Sequence, residues 1–261
     1  MNKVSVIIPC YNSEKTILDA VSSVLKQTYK VYEIICVDDG STDKTIAILN
    51  ELALTNTNLK IIKKEFNSGP AESRNIGLDW VSSEVGVIAF LDSDDQWGAN
   101  KIEVQLAAMA AHQADLVASL FSVGKACDHL NDENEITKVK KVTFKQALFK
   151  NYFITSSVIM KKNDLRFNVS MKYSEDYELW LRFLKKNKKA ILVEKELCYL
   201  SKPAFGAGGL SANLWSMELG ELNTLNKHAY WYIKPLALLC SILKFIRRLV
   251  IVRLGIKYKC P

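Results

Sequence analysis

Within its first 95 or so residues the chain alternates four times between a short apolar run and a segment of helical period, and every apolar run stops at a polar cluster. Residues 4–8 run into Pro9-Cys10-Tyr11-Asn12, and residues 33–37 into Asp38-Asp39-Gly40-Ser41. Residues 59–62 lead to Asn67-Ser68-Gly69-Pro70, and residues 85–91 to Asp92-Ser93-Asp94-Asp95. Between them, Ile17, Val21, Val24 and Leu25 predict a helix over about 13–27 with Asn12 or Ser13 as cap. Ile46, Leu49, Leu52 and Ala53 predict a second helix from about 43, and Ala71, Ile76, Leu78 and Val81 a third. Strand followed by helix, repeated, dictates a mostly parallel sheet with right-handed crossovers and helices on its faces, an α/β fold. In such sheets a ligand sits outside the carboxyl ends of the strands, where the four polar clusters converge.

The fourth cluster is the most demanding. Three carboxylates occupy four positions at the end of a strand whose β-branched residues Val85, Val87 and Ile88 read as buried on both faces. Two carboxylates about 4 Å apart repel by roughly 4 kcal/mol at an effective dielectric near 20, so the turn is suited to a divalent metal or another cation. An acidic turn that caps a helix is the plain alternative.

A formal net charge of +7 suggests nucleic acid until it is located. Eight Lys/Arg and no Asp or Glu follow Glu221, leaving 27 basic against 28 acidic residues in 1–221. The body is neutral, so a nucleic-acid footprint is disfavoured and the excess belongs to a terminal segment. Six cysteines show no metal-ligand spacing and several lie in apolar runs, as small core residues of a reducing compartment do. Met1-Asn2-Lys3 leads straight into a strand, without the apolar region of a secretion signal, and a cytoplasmic location is expected.

Pro9-Cys10-Tyr11-Asn12 lacks the glycines of a dinucleotide fingerprint, and there is no P-loop. Together the four clusters resemble the signatures of the family 2 glycosyltransferases, in order: 4–12, 37–43, Gly69-Pro70-Ala71-Glu72-Ser73-Arg74-Asn75-Ile76-Gly77, and Phe90-Leu91-Asp92-Ser93-Asp94-Asp95. The resemblance spans residues 1 to about 200. It implies the glycosyltransferase A fold, a nucleotide-sugar donor, a divalent cation (Mn²⁺ or Mg²⁺) and inversion at the anomeric carbon. Position by position, it implies that Pro9, Tyr11 and Asn12 line the nucleobase pocket and that Asp39 accepts from the base, with Asp38 structural. Arg74 would stand near the diphosphate, Asp92 at the ribose and Asp94 at the metal, with Asp95 the alternative ligand.

Further along, a helix is expected over 101–114, strands over 116–123, 154–160 and 190–199, a short helix over 144–150, and an exposed connection over 127–141. In Tyr173-Ser174-Glu175-Asp176-Tyr177-Glu178-Leu179-Trp180, Ser174 is a candidate cap, and Tyr177, Trp180, Leu181 and Leu184 form the apolar stripe. Acids belong in a first helical turn on dipole grounds alone. The family's Glu-Asp pair stands here, which implies Asp176 as general base and Glu175 in support. Three glycines within 206–209 suggest a lid over the donor. The Gln-x-x-Arg-Trp pattern of processive relatives is absent, implying one sugar per cycle. Where relatives often carry a histidine after the last strand, this chain has Ser201-Lys202-Pro203, leaving the remaining metal ligand open.

The expected organisation is a catalytic domain over 1–220, with a nucleotide-sugar half (1–100) and an acceptor half (101–220), and a basic apolar helical tail over 221–261. The tail's longest uncharged run, 235–243, is nine residues against the roughly 20 that span a bilayer. Lying on the inner face of the membrane is therefore expected, with Leu239, Ile242, Phe245, Ile246, Leu249 and Val250 entering it while Lys244, Arg247 and Arg248 meet anionic headgroups. That suits transfer to a glycan or lipid-linked acceptor in surface polysaccharide assembly. The rivals are a sugar nucleotidyltransferase, which would want a glycine- and Arg/Lys-rich loop after the first strand, and a non-catalytic binding module on the same fold.

Overall fold

The computed structural model describes residues 2–124, 138–203, 205–206 and 212–254. The four expected strands are β1 (Val4–Cys10), β2 (Glu33–Asp38), β3 (Leu59–Lys63) and β4 (Val87–Phe90). They are separated by the helices α1 (Ile17–Leu25), α2 (Thr45–Thr55) and α3 (Pro70–Asp79). All pair in parallel, in the spatial order β3-β2-β1-β4. Alternation along β1 explains why both faces are covered: Val6 and Ile8 join one core with Ile17, Leu49 and Trp97, while Ile7 joins the other with Leu78, Phe90 and Trp180.

The second half extends the same sheet. After the two-residue β5 (Gln96–Trp97) and α4 (Lys101–Ala111) come β6 (Leu116–Val123), β7 (Val139–Val142), α5 (Phe144–Ala147), β8 (Ile159–Lys161), α6 (Glu175–Lys185) and β9 (Ala190–Leu200). Antiparallel β8 joins β4 to β6, which pairs in parallel with β9. Among the described residues the result is a mixed sheet of nine strands in an α/β fold.

Two expectations need correction. The 154–160 stretch is not one strand: Thr155–Ser157 forms a 3₁₀ turn ahead of β8, because Ser157 Oγ bonds the Ile154 carbonyl and Ser156 is drawn into the site described below. The 127–141 connection ends in β7, which pairs with β9, while its residues 127–137 lie outside the described residues. So does most of the glycine-rich stretch expected as a lid.

The last helices among the described residues are α7 (Leu214–His228), within which positions 220 and 221 both fall, and α8 (Lys234–Arg253). No helix among the described residues is long and apolar enough to cross a membrane.

The tightest seam of the donor half lies between α3 and β1. A Cβ at Gly77 would come within 2.5 Å of Ile7 Cγ2, a fully buried side chain at the sheet centre. Gly77→Ala should therefore lower stability by about 1–3 kcal/mol through overpacking, read as a lower urea midpoint at unchanged slope.

Candidate active site

The strand ends and the first turn of α6 open onto one cavity of about 2000 Å³. At its donor end, Tyr11 is half exposed and Asn12 takes a left-handed backbone (φ 47°), which lets its N–H donate to Ser41 Oγ and its Oδ1 accept from the Thr42 N–H. Pro9 lines the same wall. Ser13 Oγ and Ser93 Oγ, 2.7 Å apart, tie the turn after β1 to the turn after β4.

Asp39 is 3% exposed, and its carboxylate accepts from the Ser68 and Gly69 N–H groups and from Lys64. Much of the capacity that the family resemblance assigns to a nucleobase is thus spent on holding the loop before α3. Asp38 is fully buried and accepts from the Ser41 N–H.

Arg74 lies between the two halves of the site. It is 4% exposed; Nη2 donates to Asp92 Oδ1 at 2.7 Å and Nη1 to Glu175 Oε1 at 2.9 Å. Burial opposes its charge, but Asp92 and Glu175 outweigh this and raise its pKa. Glu175 is pushed up to about 7 by burial, with Arg74 pulling it down and Asp176 pushing it further up. Asp176 accepts from Thr155 Oγ1 at 3.2 Å and from its neighbour's N–H, and burial raises its pKa too. Ser174 occupies the cap position of α6 but makes no capping bond; its backbone is left-handed and its hydroxyl donates to the Met217 carbonyl.

The acidic turn after β4 divides its three carboxylates. Asp92 faces Arg74. Asp95 is 6% exposed, accepts from Ser156 Oγ at 2.6 Å and from the Ser201 N–H, and is pushed up to about 8 by burial and by its acidic neighbours. Asp94 lines the open cavity, where Oδ2 stands 2.6 Å from Lys202 Nζ. Among the described residues no three His, Cys, Asp or Glu form a ready-made metal cage. The donor set still suits Mg²⁺ or Mn²⁺, which take one or two carboxylates plus phosphate oxygens, and Asp94 is the better placed of the two expected ligands. Thr155, Ser156 and Lys202 were not anticipated as site residues. A Thr-Ser-Ser run inside an apolar stretch carries no chemical signature, whereas Lys202 was visible as a departure from the family's histidine.

Strand ends that gather a nucleotide-sized wall, an acidic turn and a carboxylate on a facing helix define a group-transfer enzyme of α/β class. The sequence profile described as Glycosyl transferase family 2 matches residues 5–165. The chain is 32% identical over 214 residues, 80% of each chain, to the UDP-Glc:alpha-D-GlcNAc-diphosphoundecaprenol beta-1,3-glucosyltransferase WfgD of Escherichia coli. It is 34% identical to the putative teichuronic acid biosynthesis glycosyltransferase TuaG of Bacillus subtilis, over 70% of this chain and 72% of that one. The crystal structure of S. aureus TarS 1-349 in complex with UDP-GlcNAc superposes with a TM-score of 0.68 at 24% identity, covering 90% of this chain and 70% of that one, which shows the shared fold. The chain belongs to glycosyl transferase family 2 and is a glycosyltransferase with the glycosyltransferase A fold.

The raised Glu175 fixes a sign for the pH dependence of stability. A folded-state pKa near 7 against an ordinary 4.5 means that the folded state holds the proton more tightly, so this contribution is full below about pH 4.5 and lost as pH rises through about 7. Between pH 5 and 8 the wild type should lose on the order of 1–3 kcal/mol more stability than Glu175→Gln, measured by urea unfolding at the two pH values.

Proposed function

We propose that this chain moves one sugar from a UDP-sugar to a hydroxyl of a lipid-linked glycan, with inversion at the anomeric carbon, in the assembly of a surface polysaccharide. The observation that carries the reading is the placement of Asp176 on the same cavity as Tyr11, Asp92 and Asp94, across from the strand ends. The donor and acceptor classes are those named for the E. coli relative.

In this reading Pro9, Tyr11 and Asn12 receive the base, with Asp39 holding the loop beneath it, and Asp92 meets the ribose. Asp176 takes the proton of the acceptor hydroxyl as the bond to the anomeric carbon forms. Burial makes it a stronger base than a free carboxylate, while Thr155 fixes the carboxylate's direction. Glu175 supports it by anchoring Arg74. A divalent cation at Asp94 would supply neutralising charge for the departing diphosphate.

Asp176→Asn should keep UDP affinity and lose turnover by at least about 10². An intact kcat with a raised KM would instead make Asp176 a binding residue. Donor hydrolysis or transfer at any measurable rate separates an enzyme from a binding module, and release of UDP rather than pyrophosphate separates it from a nucleotidyltransferase.

Attachment to a membrane surface is part of the proposal, in a form altered from the sequence expectation. Phe245 is buried and packs on Trp215 at 5.5 Å, and Lys244 and Arg248 turn inward to Glu221. What faces outward is an apolar stripe, Leu236, Leu239, Leu243, Ile246 and Val250, each about half exposed, beside Trp231 at 84%. A helix that turns two cations inward and shows a leucine-rich stripe outward, with Arg247 and Arg253 exposed as well, is built to be covered, and a bilayer that also carries the acceptor's lipid is the proposed cover. Replacing Leu239, Leu243 and Ile246 together by Glu should abolish co-sedimentation with liposomes while leaving UDP affinity unchanged. Undiminished sedimentation of that variant would remove α8 from the role.

A further inference from the structure

The cations of the site are fewer than its acids, and their assignments differ. Arg74 is committed to Asp92 and Glu175, and Lys64 to Asp39 and Ser68. Among the described residues the cation paired with the open part of the acidic turn is Lys202, just past β9, whose Nζ stands 2.6 Å from Asp94 Oδ2. Both side chains remain partly exposed, 42% and 30%, inside the same cavity as Arg74 and Asp92. The placement is fixed from behind: the Ser201 N–H donates to Asp95, so the end of β9 is pinned against the acidic turn and Lys202 reaches Asp94 from there.

Lys202 therefore stands on the carboxylate that best suits a divalent cation. Two cations cannot share one carboxylate edge without repelling, so whatever binds Asp94 must move the ammonium. A lysine is a point charge on a flexible stem and, once released, is a ready partner for a phosphate oxygen. We propose that Lys202 is a built-in counter-ion of the donor site: it neutralises Asp94 before the donor arrives, yields that carboxylate to the divalent cation, and transfers its ammonium to the donor's diphosphate. Metal and lysine are then competitors on the free enzyme and partners once the nucleotide is bound. This rests on the donor reading above and adds to it a second positive charge on the diphosphate, one that is covalently part of the chain.

The two halves of the proposal carry opposite signs, which a merely structural lysine would not produce. Lys202→Met and Lys202→Arg are compared with wild type by Mn²⁺ titration without nucleotide, following free Mn²⁺ by electron paramagnetic resonance. Calorimetric titration with UDP and with UMP follows, in EDTA and in Mn²⁺. In Lys202→Met, Mn²⁺ binding to the free enzyme should tighten by roughly fivefold, the scale of a partly exposed ion pair. In EDTA the same variant should weaken for UDP by about fivefold or more while its UMP affinity, which reports an intact fold and nucleoside wall, stays level. Lys202→Arg should restore the metal-free UDP affinity. Mn²⁺ affinity that is unchanged or weaker in Lys202→Met, or equal losses for UMP and UDP, would overturn the counter-ion role and leave the donor reading standing. A wild-type chain that binds neither nucleotide with Mn²⁺ present would overturn both.

Discussion

One buried guanidinium holds the two halves of this site together. Arg74 comes from α3, in the donor half, and reaches Asp92 at the end of β4 and Glu175 at the start of α6 with separate nitrogens of a single planar group. A lysine has no such fork, and its point charge could not hold both acids at fixed angles. Its ring neighbour Phe167, 5.2 Å from the guanidinium carbon, closes the far side against water. Removing one partner from a buried ion pair typically costs about 3–5 kcal/mol, because the remaining charge is left uncompensated. Here two acids would be left, so Arg74 holds the fold at this point, and burial raises the Glu175 pKa even though Arg74 pulls it down.

The donor half was legible in the sequence because each strand is apolar on both faces and stops at residues that a strand interior would reject. The parallel pairing of β1 to β4 and the convergence of Tyr11, Asp39 and Asp92 at one edge follow from that pattern, whereas the spatial order β3-β2-β1-β4 does not. What it could not yield is which acid faces which partner. Asp92, Asp94 and Asp95 are near-equivalent in sequence, yet one binds Arg74, one Lys202 and one Ser156. The difference is made by the 3₁₀ turn over Thr155–Ser157, more than 60 positions away, which read as strand because Ile154, Val158 and Ile159 flank it. Ser156 alone accepts from the Asp92 N–H, donates to Asp95, and accepts from the Trp97 indole through its carbonyl. Long-range satisfaction of buried polar groups decided that segment, and local propensity carries no trace of it.

The tail shows the opposite failure. Its composition, apolar with eight cations, suggested an amphipathic helix, but two of the three cations expected to face outward, Lys244 and Arg248, turn inward, while Arg247 stays exposed. Ser241 donates to Glu218, while Lys244 and Arg248 reach Glu221. Glu218 and Glu221 are buried acids of α7 that no helical-wheel argument about the tail by itself could include. Those acids claim two of the cations, and the outside keeps the leucines together with Arg247 and Arg253.

The same α7 is seated on the turn that precedes the proposed base. A Cβ at Gly220 would lie 2.7 Å from the Tyr173 carbonyl oxygen, and Ser174, left-handed at φ 59°, donates to the Met217 carbonyl one turn earlier. At the other end, His228 meets the buried Glu178 at 2.9 Å, three residues beyond Glu175 on α6. The helix α6 is therefore gripped near its start by backbone contact and in its middle by the hydrogen bond between His228 and Glu178, with no room for an added methyl group at Gly220. Because close-packed contacts of this kind admit little sliding, the register of α7, and of the α8 that packs on it, is set by the backbone around Asp176 rather than by the tail's own sequence.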